Sequence, residues 1–90
     1  MKPINTSGKR KRAVARGVLT KGTGKVKINN IPLDVYSSEI YRLRIKEPII
    51  LAKDTSKKVD ININVFGGGK SSQADAIRLV IAKALAEFDN

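Results

Sequence analysis

Cysteine, histidine and tryptophan are absent from this 90-residue sequence, and its aromatic residues are two tyrosines and two phenylalanines. Without cysteine the chain can form no disulfide and no thiolate metal site. Without histidine as well, it lacks the usual ligands of a zinc site and the general base of a histidine-based catalytic triad. A domain of this size also has little interior for a large catalytic cavity. The shortage of aromatic residues argues against recognition of single strands by base stacking.

Long apolar runs are missing as well. Runs such as Ile49–Ala52 reach four residues, whereas a membrane span needs about 20. The first 25 residues are basic but lack the apolar stretch of a signal peptide. We therefore expect a cytoplasmic protein without a membrane partner.

Acidic residues are absent from the first 33 positions, and the first one is Asp34. The whole chain carries 18 basic and 8 acidic residues, a net charge of +10, and half of the basic residues precede Asp34. A basic excess at one end of a chain is an electrostatic footprint for a polyanion. It favours a nucleic acid over an anionic membrane as the partner.

Alternation of apolar and polar residues predicts the strands. Residues 1–8 show no periodicity and are predicted to be a flexible N-terminal arm, which leaves residues 9–90 as a single domain. A strand is predicted over residues 11–20, followed by a hairpin through the turn at residues 21–24 to a second strand at residues 25–29.

Two further strands are predicted. Asn29 and Asn30 tolerate the left-handed conformation of a two-residue turn, so a short edge strand should begin at Ile31. Valine and isoleucine alternate with aspartate and asparagine over residues 59–65 without a break. One face of this strand is therefore expected to be buried and the other exposed.

Helical periodicity appears in two regions, residues 37–52 and the segment that follows the glycines. Two short helices are predicted between Ser37 and Ala52, the first ending before Pro48 and the second beginning near it. A long C-terminal helix is predicted with Ser72 as its N-cap and Asp75 as the capping-box partner. Its apolar stripe consists of Ala74, Ile77, Ile81, Ala84, Leu85 and Phe88. The predicted fold is α+β, a two-layer sandwich with a mostly antiparallel sheet and one long C-terminal helix on one face.

The segment GGGKSS, residues 67–72, resembles part of a nucleotide-binding loop but lacks its spacing. The first glycine of such a loop would fall at Asn64, inside the predicted strand, and no later strand offers an aspartate for Mg²⁺. We therefore predict no enzyme, no cofactor and no small-molecule substrate. Two interpretations of the loop stay open: a single-phosphate site formed by the glycines and Lys70 at a helix N-terminus, or a plain turn of the chain.

Basic side chains on the predicted hairpin are candidates for phosphate contacts to a folded nucleic acid. Arg10, Arg12 and Arg16 are predicted to lie on one face of the first strand, and Lys25 and Lys27 are predicted to lie across the hairpin.

Four segments, SGKRKRAVAR, GTGKVKIN, RLRIKEPIILA and VFGGGKSSQADAIRLVIAKAL, resemble the family of protein nine of the small ribosomal subunit in its archaeal and eukaryotic form. The resemblance implies a fold like the second domain of small-subunit protein five, in which the long helix belongs to a left-handed β-α-β crossover. It implies a structural constituent of the small subunit, with residues 9–90 as a single domain that binds ribosomal RNA in the subunit head. Neighbouring ribosomal proteins of the head are the other implied partners.

By the same resemblance, RNA contacts are expected from the basic segment before residue 17 and from the loop at residues 67–73. Together with Lys21 and Arg78, the candidate RNA-binding residues are Lys9, Arg10, Lys11, Arg12, Arg16, Lys21, Lys25, Lys27, Gly67, Gly68, Gly69, Lys70, Ser71, Ser72, Gln73 and Arg78. No residue is assigned to catalysis or to metal binding.

The sequence departs from the family pattern in two places. Ser72 stands where the family usually has glycine, and the sequence ends at Asn90, before the basic tail with which family members reach the peptidyl-site transfer RNA. That transfer RNA contact is not carried over to this chain. The alternative function is a stand-alone RNA-binding module or ribosome assembly factor of the same fold.

Overall fold

The computed structural model describes residues 2–89, so Met1 of the predicted arm and Asn90 of the predicted domain lie outside the described residues. The strands are β1 (Ile4–Arg10), β2 (Ala13–Lys21), β3 (Val26–Ile28), β4 (Ile31–Pro32) and β5 (Val59–Phe66), and the helices are α1 (Glu39–Leu51), α2 (Lys53–Ser56) and α3 (Lys70–Phe88), with a 3₁₀ turn at Leu33–Val35. The sheet has the order β1-β2-β5-β3-β4, and only the β3–β5 pair is parallel. Helix α3 packs across β1, β2 and β5, and α1 packs against α3. The predicted α+β fold is confirmed.

Strand β1 occupies most of the segment that was predicted to be a loose arm. It pairs with β2 along its whole length, from Ile4 opposite Leu19 to Arg10 opposite Ala13. The hydroxyl of Thr6 donates a hydrogen bond to the carbonyl oxygen of Val80 on α3 at 3.2 Å. Hydrophobic periodicity does not reveal this strand, because most of its side chains are polar and its pairing depends on backbone hydrogen bonds.

Strands β2 and β3 do not form the predicted hairpin, because β5 lies between them. The segment that joins them crosses the start of β5, where the amide groups of Gly22 and Gly24 donate to the carbonyl oxygens of Lys58 and Val59, both at 2.9 Å. The predicted turn at Asn29 and Asn30 is confirmed, with φ angles of +52° and +68°. It connects β3 to the short edge strand β4.

The parallel strands β3 and β5 are connected by a segment that contains α1 and α2. Helix α3 follows β5, and no further strand follows it within residues 2–89. The prediction that the long helix belongs to a β-α-β crossover is therefore not met by the described chain, whose crossover helix is α1.

Helix α1 is a single helix and not the predicted pair, although it contains Pro48. Proline in a helix interior removes one hydrogen bond and crowds the preceding turn. The helix continues because it packs on α3, with Ile45 fully buried, and because Ala52 closes its last turn by donating to the carbonyl oxygen of Pro48.

The core lies between α3 and one face of the sheet, as the alternation predicted. Buried residues of β2 and β5 are Ala13, Ala15, Gly17, Leu19, Val59, Ile61, Ile63 and Val65. A Cβ atom at Gly17 would lie 2.5 Å from Val80 Cγ1, so α3 approaches the sheet closely there. The predicted stripe of α3 is buried, apart from the half-buried Phe88. Among residues 2–89, no helix combines the length and apolarity needed to cross a bilayer.

Candidate nucleic-acid interface

The glycine loop after β5 packs against the turn between β1 and β2. Gly67 and Gly68 have φ angles of +76° and +65°, which glycine adopts without steric cost. A Cβ atom at Gly67 would collide with the carbonyl oxygen of Arg12, and one at Gly68 would lie 2.9 Å from the amide nitrogen of Ala13. The fold therefore requires glycine at both positions. It also brings together the two segments in which most candidate residues were predicted.

Helix α3 begins directly after this loop. Its N-cap is Gly69 and not Ser72 as predicted, because the extended conformation that precedes the helix ends at Gly69. No side chain caps this end, and its first turn contains no acidic residue. The amide groups of that turn are thus available to an anion. A Cβ atom at Gly69 would meet no atom within 4 Å, so this glycine is not required by packing.

Asp75 lies in the second turn of α3 and pairs with two arginines. Its Oδ1 accepts a hydrogen bond from Arg44 Nη1 at 3.2 Å, and its Oδ2 lies 3.7 Å from Arg10 Nε. Arg44 Nη1 also lies 3.0 Å from Ser71 Oγ. The predicted capping-box role of Asp75 is therefore wrong, because its carboxylate faces β1 and α1. One carboxylate does not neutralise two guanidinium groups, so positive charge is left beside the N-terminus of α3.

These groups form a surface that we call the basic end. It consists of Arg10, Lys11, Arg12, Arg44 and Lys70, and the loop at residues 67–69 lies in its middle. Four of the five basic residues were predicted from the sequence. Arg44 was missed, because no local pattern relates it to Ser71, which lies 27 residues later and meets it only through the packing of α1 on α3.

Three other candidates of the glycine loop region have different environments. The side-chain amide of Gln73 donates a hydrogen bond to the carbonyl oxygen of Gly67 at 3.0 Å and so holds the loop in place. Ser71 is exposed, whereas Ser72 is half-buried within the first turn of α3. Gln73 therefore shapes this region, and Ser71 lies on its surface.

Arg16 lies on the side of the sheet opposite α3, which we call the open face. Residues directly opposite each other in neighbouring strands share a face; Arg16 is opposite Ser7, whereas Arg10 is opposite the buried Ala13. The prediction that Arg10, Arg12 and Arg16 share one strand face is therefore wrong. Lys11, with a φ angle of +55°, and Arg12 form a turn that reverses the chain between the other two arginines. Lys9 and Lys27 lie on the open face with Arg16.

Lys21 and Lys25 lie at the opposite end of the sheet from the basic end. The length of β2 separates the two ends by roughly 25 Å, at about 3.3 Å per residue. Near them, Asp60 Oδ1 accepts hydrogen bonds from the amide nitrogens of Lys25 at 2.9 Å and Thr23 at 3.0 Å. These hydrogen bonds lower the pKa of Asp60. The fold does not bring Lys21 and Lys25 together with the glycine loop.

Arg78 lies on the exposed side of α3, where it forms an ion pair with Glu47 of α1. The distance from Arg78 Nη1 to Glu47 Oε1 is 3.1 Å, and both side chains are about half exposed. An exposed pair of this kind contributes little to stability. It does reduce the charge that Arg78 offers to a nucleic acid.

The model of the family described as ribosomal protein S9/S16 matches residues 8–90. The chain belongs to this family. The family is one of ribosomal proteins and not of enzymes, which agrees with the prediction that the chain has no catalytic function. The resemblance read from the four sequence segments is thereby confirmed.

Curated relatives of the S9/S16 family match nearly the whole chain. The small ribosomal subunit protein uS9 of Desulfurococcus amylolyticus is 47% identical over 90 residues, which cover 100% of this chain and 64% of the relative. The protein of the same name from Methanothrix thermoacetophila is 40% identical over 88 residues, or 98% of this chain and 67% of the relative. That from Picrophilus torridus is 49% identical over 81 residues, or 90% of this chain and 61% of the relative. The chain thus spans about two thirds of the length of these relatives.

Proposed function

We propose that this chain is a structural constituent of the small ribosomal subunit in the cytoplasm, where it binds folded ribosomal RNA in the subunit head through phosphate contacts. Membership of the S9/S16 family supports the ribosomal role. Neighbouring ribosomal proteins of the head are its further partners. The proposal of phosphate contacts is supported by one observation, namely that the β1–β2 turn, the glycine loop and Arg44 lie together at the basic end.

The basic end suits phosphates that are fixed in space by a folded RNA. Arg10 and Arg44 come from different elements, and Asp75 holds both guanidinium groups beside the first turn of α3. Guanidinium groups and free backbone amides both bind phosphate oxygens without reading the base. Because their spacing is set by the fold, RNA shape rather than sequence decides which site they match.

Incorporation into ribosomal particles tests this function. The tagged chain is expressed in cells of an organism with a similar ribosome, and small-subunit particles are separated on sucrose gradients. The chain should sediment with the particles at a stoichiometric level. An Arg10→Gln, Arg12→Gln, Arg44→Gln variant should be depleted from them, while a Lys53→Gln, Lys57→Gln, Lys58→Gln variant, which loses the same charge on exposed residues elsewhere, should be retained.

Two outcomes would contradict the proposal. Equal depletion of both triple variants would show that net charge, and not the basic end, governs binding. Absence of the unchanged chain from particles, with RNA binding retained in solution, would favour the stand-alone RNA-binding module instead. Urea unfolding of each variant checks that the fold is kept.

A further inference from the structure

The open face of the sheet carries an ordered array of side chains. Across the strands, Lys9, Val14 and Phe66 form one row, Ser7, Arg16 and Asn64 the next, and Asn5, Val18, Asn62 and Lys27 a third. Successive rows are two residues apart along each strand, or about 7 Å. No helix covers this side of the sheet in the described chain, since α3 packs on the other side.

Phe66 is an exposed aromatic residue in the first row. It is 56% exposed at the end of β5, while its neighbour Val65 is 6% exposed and belongs to the core. Strand alternation therefore directs the ring of Phe66 away from the interior. An exposed ring on a polar sheet surface gives a flat face on which a nucleobase can stack.

Polar side chains with unused hydrogen-bonding groups lie in the adjoining rows. Arg16, Asn62 and Asn64 are exposed, and within residues 2–89 their side chains form no hydrogen bond or ion pair. With Val18 they line a shallow depression of about 450 Å³. A depression of this volume lies in the size range of small-ligand sites, and amide side chains can donate to and accept from base edges.

The charge of the open face also suits RNA. Lys9, Arg16 and Lys27 lie in the three rows described above, and no acidic residue does. Asp60 follows in the next row, where its Oδ1 already accepts hydrogen bonds from Thr23 and Lys25. A phosphate near Phe66 would thus meet cations without an opposing carboxylate in the same rows.

We propose that the open face binds a short single-stranded segment of RNA, with one base stacked on Phe66. The amides of Asn62 and Asn64 contact the edge of the next base, and Lys9 and Arg16 bind the phosphates on either side. The choice of RNA rests on the proposed function. The sequence argued against stacking because it has few aromatic residues, but a single exposed ring is enough for a single base.

Single-stranded RNA fits this surface better than a duplex does. A duplex keeps its base faces stacked inside, whereas an unpaired base exposes a face to Phe66 and its edge to the asparagine amides. Phe66 directly precedes Gly67, so the open face adjoins the basic end. An unpaired strand that leaves a folded element held at the basic end would reach the ring of Phe66 directly.

Tryptophan fluorescence tests the stacking, because the natural sequence contains no tryptophan. A Phe66→Trp variant is titrated with a short unstructured single-stranded RNA and, separately, with an RNA hairpin whose bases are all paired apart from a tight loop. The control is Ala86→Trp, at an exposed position near the C-terminal end of α3, on the other side of the sheet from the open face. The single strand should quench the fluorescence of the Phe66→Trp variant and leave that of the Ala86→Trp variant unchanged. Phe66→Leu, which keeps an apolar side chain, should bind the same single strand roughly tenfold more weakly.

The outcomes separate this inference from the proposed function. If the chain binds structured ribosomal RNA fragments but the single strand gives no quenching, or Phe66→Leu binds it as tightly as the unchanged chain, the stacking site is refuted and the proposed function stands. If no RNA binds under any of these conditions, both fail. Equal quenching of the two tryptophan variants would show non-specific association and would also refute the site.

Discussion

The three glycines of the loop have different tasks at the level of single residues. Gly67 and Gly68 have positive φ angles and touch the β1–β2 turn, so they are needed to fold the chain. Gly69 has φ −99° and ψ 176° and open space where a side chain would be. The two interpretations of the loop, turn and phosphate site, can therefore be tested separately, with Gly69 as the position at which a substitution leaves the turn intact.

Replacing Gly69 by aspartate should move stability and RNA binding in opposite directions. Aspartate is a good N-cap and its charge suits the positive end of the helix dipole, so the free energy of unfolding should rise by about 0.5–1 kcal/mol. The same charge should repel an RNA phosphate at this end and weaken binding by about 1 kcal/mol. Urea unfolding and a binding titration with an rRNA fragment measure the two effects.

Gly69→Asn is the matched control for this substitution. Asparagine caps a helix about as well as aspartate but has no charge, so it should stabilise the chain slightly and leave RNA binding nearly unchanged. If aspartate and asparagine affect RNA binding equally, the N-terminus of α3 does not face a phosphate.

Asp60 should make stability depend on pH in the acidic range. Its pKa in the folded chain is lowered by hydrogen bonds from the backbone amides of Lys25 and Thr23. A lowered pKa means that the stabilisation is present above the ordinary aspartate pKa of about 3.9 and is lost as pH falls through the lowered value. The urea midpoint of the unchanged chain should therefore fall more steeply below pH 4 than that of Asp60→Asn. Asp54→Asn is the control and should follow the unchanged chain; parallel curves for all three proteins would contradict the assignment.

Among the secondary-structure elements, α1 is the one in which the low helix propensity of a residue, Pro48, is most clearly overridden by packing. Pro48 leaves the carbonyl oxygen of Arg44 without its helical donor, yet the helix runs from Glu39 to Leu51. Pro48→Ala should therefore raise the free energy of unfolding by about 1–2 kcal/mol. Pro32→Ala, in the short edge strand β4, should change it by less than about 0.5 kcal/mol. Urea denaturation of both variants measures these changes. A lower free energy of unfolding for Pro48→Ala would contradict the prediction, because it would mean that the packing of the proline ring stabilises the helix by more than the lost hydrogen bond and steric crowding destabilise it.

Elements whose periodicity is set by burial could be predicted from the sequence. The alternation of β5 and the apolar stripe of α3 follow directly from facing one core, and both were found where expected. The insertion of β5 between β2 and β3 could not be predicted, because strand order depends on pairings between residues far apart in the chain. Strand β1 was not predicted, because its polar residues show no hydrophobic pattern and pair with β2 through the backbone.

At the scale of the whole molecule, the basic residues themselves could be identified from the sequence, but their arrangement on the surface could not. Both segments that meet at the basic end were predicted, but their contact and the contribution of Arg44 depend on tertiary packing. The fold also separates residues that the sequence grouped together. Arg16 lies on the open face, and Lys21 and Lys25 lie at the far end of the sheet.

The salt dependence of RNA binding tests the central claim most directly, namely that the basic end binds folded RNA through its phosphates. If five to eight phosphates are neutralised, the logarithm of the association constant for an rRNA fragment should fall with the logarithm of salt concentration at a slope of roughly −4 to −7. In a variant with Arg10, Arg12, Arg44 and Lys70 replaced by glutamine, the slope should become less steep by about 3, because each lost contact removes about 0.7–0.9. A slope near zero for the unchanged chain, or the same slope for both proteins, would contradict the account.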